Sequence, residues 1–257
     1  MGRFRKLEFD SQLQKPVEVR REPIGPDAYC LQAEREYREG NFDNALRYYS
    51  RALENDRLMI ESWRRRVVVL VELGEYSEAD LWADKALELF PDDQDLLAGK
   101  AVALCRCGRH AQAFSVADRA IRCPVPSPYP WIARGEILLA VKNAQHEYCF
   151  SKAVVVTRPG WHVFSQIGRA YQFYGHFSKA IEYFNRAVGV EPVLVFVLME
   201  KAHCQFELGL NRQANSTLDE VLRISPKNVA ARRLQASLEK APAGGRVKGF
   251  FNRLLGR

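Results

Sequence analysis

The sequence predicts an all-α solenoid of six helix-turn-helix repeats closed by a capping helix. Three residue ladders carry that prediction. Gly40, Gly74 and Gly108 lie 34 residues apart, as do Gly175 and Gly209. The gap between the two sets is 67, one short of two periods, and Lys142 stands in the missing place. Ala45, Ala79, Ala113, Ala180 and Ala214 form the second ladder, with His146 in the irregular unit. Ala52, Ala86, Ala120, Ala153, Ala187 and Val221 form the third. Pro91, Pro192 and Pro226 close their units, and Pro124 and Pro159 fall within a residue of that place. A fixed period of this length marks a stack of supersecondary units.

Each unit reads as two helices. Before Gly175, Phe164, Ile167, Gly168 and Tyr171 recur at helical spacing; after it, Ala180, Ile181, Phe184, Ala187 and Val188 do the same. Glycine suits the turn because it accepts backbone angles that other residues resist. Small residues at a helix crossing let the axes approach, and a following proline stops the second helix.

These units resemble the tetratricopeptide repeat, whose signature is a Trp/Leu/Gly/Tyr set followed by Ala, an aromatic, Ala and Pro. The unit at 161–194 matches best, with Phe164, Ile167, Gly168, Tyr171, Gly175, Phe177, Ala180, Phe184, Ala187 and Pro192. Units at 26–59, 60–93, 94–127 and 195–228 keep the register. The fourth, about 128–160, keeps Trp131, Gly135, Leu138, Phe150 and Ala153 but is one residue short and has KNAQH at its turn. An altered helix angle is expected there. The resemblance implies a right-handed superhelix over 26–241, with the polar stretch NVAARRLQASLEK as the cap that a solenoid needs. An extended arm is expected over 1–25, and a linker with a short basic tail over 242–257.

Composition narrows the function. No stretch approaches the roughly 18 consecutive apolar residues of a membrane span. The N-terminus lacks the apolar core of a secretory signal, and Lys6 stands where a myristoylation motif has Ser or Thr. A cytoplasmic chain is expected. The six cysteines are scattered, which predicts free thiols. The five histidines have no metal spacing, and no HExxH, P-loop or dinucleotide pattern occurs. His203 beside Cys204 is no nucleophile pair, because adjacent helical residues face apart. Neither catalysis nor a cofactor nor a metal is expected. Outside the tail the charges of both signs are mixed, which argues against a nucleic-acid face.

The resemblance implies a non-catalytic scaffold that binds a peptide or helix of a partner protein in a concave groove lined by the first helix of each unit. Positions 2, 5, 6, 9, 12 and 13 of a unit face that groove in the family. Here they point to Arg64, Arg65 and Arg106 as a basic N-terminal half, and to His162, Gln166, Arg169, Phe173, Met199, His203 and Phe206 as an aromatic C-terminal half. Arginine and aromatics dominate interface energy. One subclass clamps the C-terminal carboxylates of chaperones with Lys at position 5 and Asn at position 9. In this chain those positions hold Cys30 and Glu34, Arg64 and Val68, or Ser165 and Arg169. A carboxylate-clamp chaperone binder is therefore not expected.

The segment RVKGFFNRLLGR places Val247, Phe250, Phe251, Leu254 and Leu255 on one helical stripe, with Arg246, Lys248 and Arg253 on other faces. Three readings stay open: a terminus without fixed structure or folded back on the last repeat, an anchor for an anionic membrane surface, or a ligand for a partner's groove. The second makes the chain a peripheral membrane adaptor.

Overall fold

The computed structural model describes residues 25–240. The arm expected over 1–25 (save Gly25) and the tail residues Phe250, Phe251, Leu254 and Leu255 lie outside the described residues. Those described form thirteen helices and no strand. The first helices of the six units are α1 (Pro26–Glu39), α3 (Ile60–Leu73), α5 (Gln94–Arg106), α7 (Pro128–Ala140), α9 (Trp161–Phe173) and α11 (Val195–Glu207). Every one begins on the residue that the 34-residue register assigns to it. The second helices are α2 (Phe42–Asn55), α4 (Tyr76–Leu89), α6 (His110–Ile121), α8 (His146–Val155), α10 (Phe177–Val190) and α12 (Asn211–Ile224), and α13 (Val229–Lys240) packs on α12 as the cap.

The turn ladder has one physical cause. Gly40, Gly74, Gly108, Gly175 and Gly209 all take φ between 74° and 85°, and Lys142 takes φ 57°. In all six turns the next residue donates its backbone N–H to the carbonyl five positions back, as Glu75 does to Leu70 and Asn143 to Leu138. This bond caps the first helix with a left-handed residue. The fourth turn thus keeps the backbone without the glycine. A side chain in that region costs about 1–2 kcal/mol. Lys142→Gly should therefore raise stability by about 0.5–1 kcal/mol, part of the gain being lost to the freer unfolded chain. A higher urea midpoint at unchanged slope is the expected result.

The missing residue of the fourth unit lies between Lys142 and His146. Asn143 closes the shortened loop: its side-chain oxygen accepts from the N–H of Gln145 at 2.9 Å, and its carbonyl lies 2.8 Å from Nδ1 of His146. The second helix starts two positions late and has ten residues against fourteen in α10. It packs against α9 far less than the other second helices pack on their successors.

Size complementarity fills the space between paired helices. A Cβ on Gly168 would lie 2.7 Å from the ring of Phe184, and one on Gly135 would lie 2.6 Å from that of Phe150. Both phenylalanines are fully buried. The second unit inverts the pairing, with Val67 and Ala83 buried at the same two positions.

The array curls until its ends meet. Helix α1 contacts α11, and Phe196 lies 5.5 Å from the rings of both Tyr37 and Phe42. Trp161 approaches Tyr37 to 6.2 Å, and Arg38 pairs with Glu191 at 3.5 Å. One apolar cluster therefore runs from Ala33 and Tyr37 in the first unit to Val197 and Cys204 in the sixth.

Candidate interaction site

The first helices line the inner side of this closed curve, and Arg106 and Arg169 on them find carboxylates within the chain. Arg169 lies 2.6 Å from Oε2 of Glu72, in the second unit, and 2.7 Å from Oε1 of Glu200, in the sixth. Arg106 donates through Nε to Glu136 at 2.7 Å. All five side chains are at most 8% exposed. Burial works to lower both arginine pKa values, but the facing carboxylates outweigh it and hold both cations above the ordinary range. Gln172 extends the network, donating to Glu200 at 2.6 Å and lying 3.0 Å from Nδ1 of His203. Burial pulls the His203 pKa down, yet hydrogen bonds with Glu200 and Glu207 raise it overall.

The ten residues expected in the groove separate into three groups. Arg106, Arg169 and Phe206 are buried: the two arginines as ion pairs, Phe206 in the core of the last unit and the cap. Their contacts are with this chain, so they offer no free surface to a ligand. Arg64 and Arg65 are partly exposed and tied down. Arg64 Nε donates to both oxygens of Asp93, which itself caps α5, and Arg65 Nε donates to Glu61 at 2.9 Å. The rest stay nearer the surface. Phe173 is 44% exposed with the Arg106 guanidinium 4.7 Å over its ring. His162 packs on Trp161, and burial lowers its pKa. Gln166 borders a void of only 10 Å³ between Arg106 and Arg169.

Met199 opens onto a different feature, a cleft of about 980 Å³ where the two ends of the array face each other. Its walls come from the α1–α2 and α3–α4 turns on one side and from α11 and the α12–α13 turn on the other. Phe42 and Phe196 are buried at its base, and Leu73 and Met199 are half-buried. Glu39, Asp43, Glu75 and Glu78 stand exposed around it, against a single cation, Lys227. Sequence reasoning missed both this acidic rim and the buried acids Glu72, Glu136 and Glu200. The latter were within reach, since they sit at positions 13, 9 and 6 of their units, which the family turns inward.

The buried thiols Cys105 and Cys204 are ill-suited to nucleophilic work. Burial pushes Cys105 up to about 12, and Cys204 is raised by burial and then by Glu200. The thiolate is the reactive form, so raised values disfavour it. All six cysteines are free. Among the described residues there is no cluster of His, Cys, Asp and Glu with metal-site geometry, and no helix long and apolar enough to cross a membrane.

Comparison with known proteins agrees with the repeat register. Models of the tetratricopeptide repeat match residues 30–94 and 162–193. The Protein CTR9 homolog of Arabidopsis thaliana is 29% identical over 117 residues, which cover 44% of this chain and 11% of that protein. The Hsp70-Hsp90 organizing protein of Triticum aestivum is 24% identical over 202 residues, 74% of this chain and 33% of that one. The chain thus spans a third or less of the length of either curated relative. A chain in the crystal structure of the APC/C hetero-tetramer Cut9-Hcn1 aligns with TM-score 0.50 and 17% identity over 85% of this chain and 44% of that one. The thermophilic TPR protein TTC0263 of Thermus thermophilus aligns with TM-score 0.51 and 16% identity over 84% of this chain and all of the other. At such identities the likeness is one of fold. Six units in one register, their shared left-handed turn and the two matched segments show that this chain carries tetratricopeptide repeats stacked as an all-α solenoid.

Proposed function

We propose that this protein is a non-catalytic scaffold that binds a peptide segment or short helix of a partner protein at the open mouth of its concave side. The carrying observation is the cleft around Met199, where the accessible apolar side chains Leu46, Leu73, Met199 and Val229 stand inside an exposed carboxylate rim, at the upper end of the ~300–1,000 Å³ usual for ligand sites. Apolar contacts would supply most of the affinity and the rim the choice of partner. Four carboxylates against one lysine favour a cationic partner segment and repel both a nucleic-acid backbone and a carboxylate terminus. The acid Glu34 at position 9 of the first unit, bonded to Tyr49, also argues against a chaperone carboxylate clamp. A cytoplasmic adaptor role fits this reading.

The test is affinity capture from native lysate with wild type and with Asp43→Lys/Glu75→Lys. Both positions are exposed, so the variant should fold normally. Partners held by the wild type and lost by the folded variant are expected. Partners that persist unchanged would move binding away from this cleft.

A further inference from the structure

We infer that residues 246–257 of the chain itself dock into the acidic cleft as a cis ligand. This inference rests on the cleft and the sequence, not on the existence of a partner. Charge is the first argument. The segment holds Arg246, Lys248, Arg253 and Arg257 and no acid, and it would face Glu39, Asp43, Glu75 and Glu78. Residues 1–24 carry Glu8, Asp10, Glu18 and Glu22 among their cations and complement the rim less well. Shape is the second. Val247, Phe250, Phe251, Leu254 and Leu255 share one stripe in a helix, which suits the accessible apolar lining of the cleft, the half-buried Leu46, Leu73 and Met199 and the exposed Val229.

Reach is the third argument. Val229 and Ala230, at the start of α13, line the cleft. The chain leaves that helix at its far end, Lys240, after twelve residues. At about 1.5 Å per residue that is a displacement of roughly 18 Å. The connecting residues Ala241–Gly245 span about 20 Å when extended, from Lys240 to Arg246. The linker therefore just retraces the helix, and Pro242, Gly244 and Gly245 suit a reversal of direction. The docked segment would lie across the seam where the first unit meets the sixth.

The experiment is hydrogen exchange by mass spectrometry on the full chain, at low and high protein concentration. Wild type is compared with Phe250→Asp/Phe251→Asp/Leu254→Asp, whose changes lie outside all thirteen helices. Peptides covering 39–46 and 70–78 are expected to exchange at least about threefold faster in the variant, with α5 and α6 unchanged as the internal control. A synthetic peptide of residues 242–257 should restore protection to the variant, and less so in 0.5 M salt, because rim charges are screened. Equal exchange in both proteins, with no response to the peptide, overturns the inference while leaving the partner reading intact. Protection that appears only at high concentration also overturns it, assigning the segment to a second copy. So does unchanged exchange accompanied by loss of binding to anionic vesicles, which assigns the segment to a lipid surface.

Discussion

Arg169→Leu is expected to cost about 3–5 kcal/mol of stability, the cost of leaving buried charge uncompensated. The guanidinium lies between Glu72 and Glu200, and all three are almost fully excluded from water. Removing it leaves two buried carboxylates facing each other with their cation gone. Equilibrium urea unfolding checks the number. The variant Arg169→Leu/Glu72→Met/Glu200→Met separates the causes. Replacing a whole buried ion group by apolar residues of similar size is often neutral, so this triple variant should recover a large part of the loss. An Arg169→Leu protein within about 0.5 kcal/mol of wild type would mean that the inner face is hydrated and the ion pairs are weak ones. The same variant should expand in small-angle scattering, because the contact with Glu72 ties the fifth unit to the second.

Gly168→Val and Phe184→Ala are expected to be harmful separately and much less so together. The valine places atoms where the Phe184 ring already stands 2.7 Å from the ideal Cβ position. Overpacking of that kind costs about 1–3 kcal/mol or more. Truncating the fully buried Phe184 empties the same space, at about 3–5 kcal/mol. The double variant installs the pair that the second unit uses at these positions, Val67 with Ala83. Its cost should fall below the sum of the single costs by at least about 1 kcal/mol, the sign of two residues sharing one space. Strict additivity in the unfolding midpoints would show that the helices reach each other by another route.

These two expectations separate what is local from what is not. Gly168 and Phe184 were legible as members of the repeat signature, because both lie within one unit and the 34-residue period assigns every unit the same two helices; their contact is read from the structure. The left-handed turn was legible for the same reason, and Lys142 shows that the hydrogen-bonded cap is kept even where the favoured residue is absent. The groove residues belong to the other class. Arg106 and Arg169 occupy inward positions as the family pattern implies, but their exposure depends on what stands opposite. Arg169 is 97 positions from Glu72, a separation that no local pattern spans.

By itself the sequence determined the repeat, the helix starts, the turn residue and the cap, because each follows from backbone angles and side-chain volumes within about 34 residues. Only the tertiary structure decided that the array curves far enough for Phe196 to reach Tyr37 and Phe42. Curvature is the sum of small rotations at each junction between units, so a modest change per junction moves the ends by many ångströms. That sum brought Arg169 between Glu72 and Glu200 as a buried ion group and left the acid-rimmed cleft between the first and last units as the candidate surface for recognition.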